Sequence, residues 1–306
     1  MKAIDANLLR DTLESRRQPY SCVRSHLADA LRDRKPFSLL RIGDGESVIL
    51  RYEQGHDDPD LEAHLRLWFG DQLPTRRQLA RIRRQLNGAC RKATVLGLPT
   101  QRQCELHPRY RTSFEALEQL LNPRSQPIIT DAAVHRFLHL SGDLLNCLRK
   151  SPFLGLITCR SIVDEVVDCF QPRQLVLHIV PPEQSDNLGS RVAGSCSWFP
   201  DGWSHLANVV RPPLRGAPYL VGAGLMGKLI CELIRQRGGI AIDIGSVFDG
   251  WEAVRSRAYF DRYPPESYRL THQETLANYS GQERLNHLKS LLDQHEAAPT
   301  SFRIEN

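Results

Sequence analysis

The feature that most restricts the fold is a regular alternation of short apolar segments with segments of helical periodicity, running from residue 37 to residue 244. Short strands that alternate with helices are typical of an α/β protein whose mostly parallel sheet is covered by helices on both faces. Ligands of such sheets bind beside the carboxyl ends of the strands. The predicted strands are Phe37–Ile42, Ala93–Leu98, Pro127–Thr130, Phe153–Thr158, Leu175–Val180, Tyr219–Gly222 and Gly239–Ile244.

Helical segments lie between these strands and also precede and follow them. Apolar spacing over residues 3–34 predicts two helices separated by Pro19, and the polar stretch 264–306 contains one predicted helix near residues 281–294. We therefore expect a helical extension over residues 1–35, one α/β domain over 36–262 and a helical tail over 263–306. The other predicted helices are Leu61–Phe69, one from the N-cap Thr75 to about Leu86, Phe114–Leu121, Ala132–Leu148, Ile162–Phe170, residues 203–209 and Leu225–Arg237, while Val48–Tyr52 is helix or strand.

The first predicted strand runs into a turn of two glycines and two carboxylates, Arg41-Ile-Gly-Asp-Gly-Glu46. Asp44 and Glu46 flank Gly45, which leaves backbone without a side chain between two acidic groups. Such a strand end can hold a divalent cation against a phosphate, because carboxylate oxygens are the ligands that Mg²⁺ and Mn²⁺ prefer. The alternative is an ordinary surface turn, since Asp and Gly are common turn residues.

A second glycine-rich segment follows the strand at residue 219, with Gly222, Gly224 and Gly227 in a Gly-x-Gly-x-x-Gly pattern that opens a helix. This context suits a loop that binds phosphate through backbone N–H groups, and Lys228 adds a positive charge. Asp243 ends the next strand, about where a dinucleotide-binding domain places its ribose-binding carboxylate. The late position of the motif argues against that domain, and tight strand–helix packing is a further explanation of the glycines.

Other polar residues also follow predicted strands. Asp243 and Asp249, with the aromatic Trp251, suit the recognition of sugar hydroxyls and C–H groups, although Asp249 could instead cap a helix. Arg160 could reach a phosphate. The long segment 181–203, which contains Glu183, is of a length typical of lids and binding loops. Two residues after the strand at 127–130, Asp131 and His135, are weaker candidates.

Composition indicates a globular protein with a preference for anions. The net charge is +5 among 306 residues, which suits an anionic ligand or surface better than dedicated binding of nucleic acid. No apolar stretch reaches the length of a membrane-spanning helix, and the N-terminus lacks the pattern of a signal peptide. The eight cysteines include no Cys-x-x-Cys pair, so we expect reduced thiols and a cytoplasmic protein. The basic segment Arg76–Arg84 is a solvated helix face or a peripheral contact with a membrane or anionic acceptor.

Four segments together resemble the glycosyltransferases of the GT-D fold, a bacterial group marked by an Asp-x-Glu metal motif. They are Arg41-Ile-Gly-Asp-Gly-Glu46, Val95-Leu-Gly-Leu-Pro99, Val221-Gly-Ala-Gly-Leu-Met-Gly-Lys228 and Gly238-Gly-Ile-Ala-Ile-Asp-Ile-Gly-Ser-Val-Phe-Asp249. The resemblance implies a Rossmann-like sheet of the GT-D type and a nucleotide-sugar donor, usually a UDP-sugar. It also implies Mn²⁺ or Mg²⁺ on Asp44 and Glu46, next to the donor diphosphate.

The sequence therefore predicts a metal-dependent glycosyltransferase that moves a sugar from a nucleoside diphosphate donor to a glycan, glycoprotein or glycolipid acceptor. The general base of an inverting reaction would be Asp243, Asp249 or Glu183. The residues expected to bind the donor are Arg41, Gly43, Gly45, Arg160, Gly222, Gly224, Gly227 and Lys228. Two alternatives stay open, an NAD-dependent oxidoreductase and a non-catalytic nucleotide-binding module of a polysaccharide assembly system.

Overall fold

A single parallel sheet organises the chain, in a computed structural model that describes residues 13–43, 45–52, 59–121, 127–183, 197–256 and 268–270. The sheet has seven strands, and every pairing in it is parallel. This confirms the predicted α/β class. The strands are β1 (Phe37–Arg41), β2 (Val95–Leu98), β3 (Ile128–Asp131), β4 (Leu154–Thr158), β5 (Leu175–Ile179), β6 (Pro218–Val221) and β7 (Ile240–Asp243).

Helices connect the strands and cover both faces of the sheet. The helices of the described residues are α1 (Tyr20–Asp33), α2 (Glu46–Leu50), α3 (Pro59–Phe69), α4 (Arg76–Lys92), α5 (Gln101–Leu106), α6 (Pro108–Leu120), α7 (Val134–Leu140), α8 (Asp143–Leu148), α9 (Val163–Phe170), α10 (Gly202–Val209), α11 (Gly224–Gln236) and α12 (Val247–Trp251). Within the described part of the chain, none of them combines the length and apolar character that a membrane crossing requires.

The central strands are largely apolar because both faces of the sheet are covered there, whereas the edge strand β5 is only partly buried. Leu39 and Leu40 are adjacent in β1 and point to opposite faces, and both are fully buried. Leu40 belongs to an apolar cluster with Leu96 of β2, whereas Leu39 belongs to the cluster on the other face, with Val95. Each strand therefore contributes to two cores, which explains why its boundaries were predicted to within two residues.

Several predicted helices have different limits in the structure. The segment Ala132–Leu148, predicted as one helix, is two, because Gly142 adopts a left-handed backbone with φ of 74° and separates α7 from α8. Thr75 caps α4 as predicted, in a capping box with Gln78, but the helix continues beyond Leu86 to Lys92. Helices α5 and α12 were not predicted.

The first described helix packs directly on the sheet domain. Val23 and Leu27 of α1 are fully buried, and α1 contacts α7, α8 and β3. Arg17, just before α1, donates to the carbonyl oxygens of Leu98 and Thr130 at 3.2 and 2.8 Å. Of the two helices predicted over residues 3–34, the first lies outside the described residues except for residues 13–15, which are helical. The helix predicted near 281–294 lies wholly outside them, and the domain boundaries stay predictions.

The strand order, β3-β2-β1-β7-β6-β4-β5, places the last strand beside the first. The chain leaves β1 toward β2 on one side, while β7 pairs with β1 on the other side. A crevice forms outside the carboxyl ends of strands where the direction of winding changes in this way. The turn at residues 43–46 and the glycine loop after β6 both lie at this edge of the sheet.

Candidate functional site

A buried cluster of charges joins the ends of β1 and β7. Lys228 Nζ, in the second turn of α11, lies 2.8 Å from Glu46 Oε1 and 3.2 Å from Asp243 Oδ2. Lys228 also donates to the carbonyl oxygen of Gly224 at 3.1 Å. Glu46, Lys228 and Asp243 are each less than 10% exposed. The cluster thus connects the acidic turn, the glycine loop and the last strand.

Arg41 completes this cluster from the end of β1. Its guanidinium donates to the Asp243 carboxylate at 3.3 Å and to the Asp243 carbonyl oxygen at 3.2 Å. A third nitrogen of Arg41 lies 3.0 Å from His135 Nε2. Because Arg41 can only donate, His135 Nε2 must accept, which leaves His135 Nδ1 to donate to Ala132 at 3.1 Å. His135 orients Arg41 and is itself 3% exposed.

The environment fixes the protonation states of these groups. Burial opposes the ionisation of Glu46, but the charge and hydrogen bond of Lys228 and the Gly43 N–H outweigh burial and lower the pKa of Glu46 from 4.5. Burial also opposes the charged form of Lys228, yet Asp243 and Glu46 raise its pKa. Burial and the charge of Arg41 hold the pKa of His135 well below 6.5. An ionised Glu46 therefore faces a protonated Lys228, beside a neutral imidazole.

The acidic turn is held in place by side chains at both of its ends. The Gly43 N–H donates to Glu46 Oε2 at 2.8 Å, while the Ser113 hydroxyl donates to the Gly43 carbonyl oxygen at 2.5 Å. Ser113 is fully buried. Glu46 therefore closes its own turn as well as pairing with Lys228. Asp44, the other carboxylate of the predicted metal site, lies outside the described residues.

The indole of Trp68 packs between the two glycine segments. A Cβ atom added to Gly45 would lie 2.9 Å from Trp68 Cζ2, and one added to Gly224 would lie 3.6 Å from Trp68 Cδ1. The first distance is shorter than carbon atoms allow, so a side chain at Gly45 would displace the ring. Neither Trp68 nor Ser113 was singled out from the sequence, because a Trp in an apolar helix stripe and a lone Ser carry no distinctive pattern.

The three glycines of the second loop have different roles. A Cβ at Gly222 would lie 2.4 Å from Phe248 Cδ2, so this glycine is required by packing. Gly224 has φ of +49°, a left-handed conformation at the start of α11, whereas Gly227 has room for a Cβ. Ala223, the N-cap of α11, supplies no side-chain hydrogen bond. Backbone N–H groups of the first turn of α11 are therefore not capped by that residue and can face an anion.

Arg160 and Asp249 contact each other. Arg160 Nε donates to Asp249 Oδ1 at 2.8 Å, and another guanidinium nitrogen lies 3.2 Å from Glu252 Oε2. Asp249 also accepts a short hydrogen bond from Ser256. The predicted roles, phosphate binding by Arg160 and base catalysis by Asp249, stay predictions, and the ion pair engages the Asp249 carboxylate.

Glu183 is the predicted base that lies beside the glycine loop. A Cβ on Gly224 would be 2.8 Å from Glu183 Oε1. Asp243, by contrast, is enclosed in the ion pairs with Arg41 and Lys228. The rest of the long segment, residues 184–196, lies outside the described residues, so the predicted lid stays a prediction.

The side chains of this site include suitable ligands for a divalent cation, but their arrangement leaves no room for one beside Glu46. Carboxylate oxygens are suitable ligands for Mn²⁺ and Mg²⁺, but the Lys228 ammonium occupies the position next to Glu46 Oε1 that such an ion would take. Among the described residues, no group of three or more His, Cys, Asp and Glu side chains could hold a metal ion. The predicted metal site at Asp44 and Glu46 therefore stays untested.

The predicted NAD alternative depends on Asp243 as a ribose-binding carboxylate. Asp243 is 2% exposed and forms ion pairs with Lys228 and Arg41, so ribose hydroxyls cannot reach it in this arrangement. A dinucleotide-binding sheet also has the strand order 3-2-1-4-5-6, which differs from the order found here. Both observations weigh against the oxidoreductase.

The fold and the site define an α/β protein with a buried cluster of ion pairs between its first and last strands. The sequence model of the GT-D fold-like domain family matches residues 18–184, more than half of the chain, and the chain belongs to this family. Membership confirms the predicted resemblance and the assignment to the GT-D class of glycosyltransferases. The match begins inside the segment predicted as a helical extension. A comparison with curated protein sequences found no significant match.

Solved structures of low sequence identity are also similar to the chain. A glycosyltransferase from Streptococcus sanguinis with domain of unknown function 1792 has 14% identity and a TM-score of 0.49, over 75% of this chain and 82% of that one. A selenomethionine-substituted structure of the same domain has 13% identity and a TM-score of 0.47, over 76% and 84%. The family assignment rests on the sequence match, and these similarities add no argument to it.

Proposed function

We propose that the protein transfers a sugar from a nucleoside diphosphate sugar, most simply a UDP-sugar, to a glycan, glycoprotein or glycolipid acceptor. The observation that carries this proposal is the Lys228 cluster, which joins the Glu46 turn to the glycine loop at the crevice between β1 and β7. At this position a diphosphate would meet positive charge and backbone N–H groups.

Several residues of the site contribute to donor binding in different ways. The first turn of α11 offers N–H groups to the diphosphate, and Gly224 lets the backbone approach it closely. Lys228 and Arg41 supply positive charge next to the leaving group, where it stabilises the negative charge that develops as the glycosidic bond breaks. Because both cations already form ion pairs, they are held in position before the donor arrives.

Glu183 is the base that this arrangement favours for an inverting reaction. It is half-buried, and its Oε1 lies at the edge of the glycine loop, 2.8 Å from the position that a Cβ on Gly224 would take. A base at that edge can take the proton of an acceptor hydroxyl as the oxygen attacks the anomeric carbon. The sugar then moves to the acceptor and the nucleoside diphosphate leaves.

Dependence on Mn²⁺ or Mg²⁺ is part of the proposal and rests on the family resemblance. The ion would be held through Asp44, and Glu46 could join it only by giving up its contact with Lys228. When bound, a divalent cation neutralises diphosphate oxygens and makes the diphosphate a better leaving group. The acceptor class and a cytoplasmic location likewise stay predictions.

Thermal unfolding with a panel of nucleotides and nucleotide sugars, each with and without Mn²⁺, tests the proposal. We expect stabilisation by one nucleoside diphosphate and its sugar, together with release of that diphosphate when an acceptor extract is added. Stabilisation by NAD alone would overturn the proposal. Binding of a nucleotide sugar without transfer or hydrolysis by any acceptor fraction would instead identify a non-catalytic binding module.

A further inference from the structure

A cleft on the helical layer, away from the charged cluster, carries a second concentration of positive charge. It has a volume of about 500 Å³ and lies between α2, α4 and α6. We call it the arginine cleft. Its polar lining residues are Arg51, Tyr52, Arg83, Asn87, Arg91 and Gln119. No acidic side chain is among the described residues that line it, so three positive charges face a cleft without a described counter-charge.

Two of the arginines are fixed by contacts with helix ends. Arg83 Nε donates to the carbonyl oxygen of Leu50, the last residue of α2, at 3.1 Å. Arg91 Nε donates in the same way to Leu120, the last residue of α6, at 3.2 Å. The last carbonyl groups of a helix lack partners within the helix, so each contact satisfies an acceptor and orients a guanidinium. The two terminal nitrogens of each guanidinium are left for a ligand, since no carboxylate of the described residues pairs with either.

The spacing of the cleft residues suits an elongated ligand. Positions 83, 87 and 91 follow one another at intervals of four, on one face of α4, and span roughly 12 Å along the helix axis. Asn87 lies between the two arginines, and its buried Oδ1 has no hydrogen-bond partner among the described residues. A ligand with both an oxyanion and a hydroxyl group would suit the cleft, because the arginines only donate and the exposed Gln119 amide, which also lines it, both donates and accepts.

We propose that the arginine cleft is a second binding site, specific for a sugar that carries a phosphate or carboxylate group. The charge comes from Arg51, Arg83 and Arg91, and the hydroxyl recognition from Gln119. The assignment does not depend on the identity of the donor. Sugar transfer at the Lys228 cluster and ligand binding at the arginine cleft can therefore be tested independently.

Titration calorimetry at physiological ionic strength tests this assignment with a hexose phosphate, a hexuronate, inorganic pyrophosphate and a neutral hexose as probes. The variant Arg83→Gln/Arg91→Gln is compared with Arg77→Gln/Arg84→Gln, in which two exposed arginines of the same helix are changed. The charge change is identical. We expect at least about a tenfold weakening of anionic sugar binding in the first variant, and less than about twofold in the second.

A second pair of variants covers the case in which the arginine changes unfold the protein. Asn87→Asp keeps both arginine–carbonyl contacts but places a negative charge at the centre of the cleft, so it should abolish binding while the protein stays folded. Gln119→Leu should weaken the binding of the anionic sugars but leave the binding of pyrophosphate nearly unchanged. The proposal is overturned if no anionic sugar binds the wild-type protein, if both arginine pairs weaken binding equally, or if Asn87→Asp binds as tightly as the wild type. A preference for the phosphate or the carboxylate probe identifies the anion.

Discussion

Lys228 Nζ lies 2.8 Å from Glu46 Oε1, which makes a helix lysine the direct partner of the second carboxylate in the Asp-x-Glu motif. Glu46 therefore has a structural role in the site, since it also accepts a hydrogen bond from the Gly43 N–H. The two carboxylates of the motif do not have to act alike. Glu46 has a structural task that follows from its contacts, whatever ion or phosphate the site binds.

Replacing Lys228 by Met should destabilise the protein by about 3–5 kcal/mol, because the buried carboxylates of Glu46 and Asp243 lose a shared cation. Chemical denaturation of the wild type and the variant measures the loss. Adding Glu46→Gln to Lys228→Met should restore part of that stability, since one unpaired charge is removed. Lys92→Met, at an exposed lysine of α4, serves as the control and should change stability by less than about 0.5 kcal/mol. Equal effects of the two lysine changes would contradict the buried ion pair.

The pH dependence of stability should report Glu46. Its pKa in the folded protein is lowered from 4.5, so its contribution to stability is fully present above about pH 4.5 and is lost as the pH falls through the lowered value. Glu46→Gln removes this contribution. Denaturation between pH 6 and pH 3 should therefore show a shallower loss of stability in Glu46→Gln than in the wild type. Parallel curves for the two proteins would mean that Glu46 is not stabilised as a carboxylate.

The variants Gly45→Ala and Gly88→Ala form a matched pair that tests the packing of Trp68 on the turn. Gly45→Ala would place a Cβ 2.9 Å from the indole, so we expect a loss of stability of about 1–3 kcal/mol and weaker donor binding. Gly88, within α4, has nothing within 4 Å of an added Cβ, and Gly88→Ala should stabilise the helix by roughly 0.5–1 kcal/mol. Thermal unfolding of both variants, with and without a nucleotide sugar, provides the comparison. Donor binding that is unaffected in Gly45→Ala would count against the role of the turn.

The two candidate bases, Glu183 and Asp249, can be distinguished by the catalytic rates and the stabilities of their variants. If Glu183 is the general base, Glu183→Gln should lower kcat by roughly 10²–10⁴ while donor binding and unfolding temperature stay nearly constant. Asp249→Asn should instead lower stability by about 1–3 kcal/mol, because the buried Arg160 loses a charged partner, with activity falling only as the folded fraction falls. The reverse pattern would assign the base to Asp249.

The strands and their order along the chain could be predicted, but their order in the sheet could not. The central strands are apolar runs because they are buried on both faces, and this property is local to the sequence. The pairing of β7 with β1 is not local. For that reason Arg41 and Asp243 were identified at strand ends and Lys228 beside the glycine loop, whereas the ion pairs among them were not foreseen.

Residues that support the site without chemistry of their own were missed. Ser113 acts through one hydrogen bond to a carbonyl oxygen, and Trp68 acts through the packing of its ring. Both contacts can be recognised only when the fold is known. The break at Gly142 was also missed, since a single glycine within a helical pattern is often tolerated. Helix spacing could have placed Trp68 in the apolar stripe of Leu61–Phe69, but not against two glycine loops.

The position of β7 between β1 and β6 sets the order in which a growing chain can complete this protein. During synthesis from the N-terminus, the edges of β1 and β6 that face the centre of the sheet have no strand to pair with until residues 240–243 have been made. Open strand edges of this kind favour aggregation. A chain that stops before β7 would hold Arg41 and Glu46 without the Asp243 side of their cluster, and nascent chains of that length are where we expect dependence on chaperones.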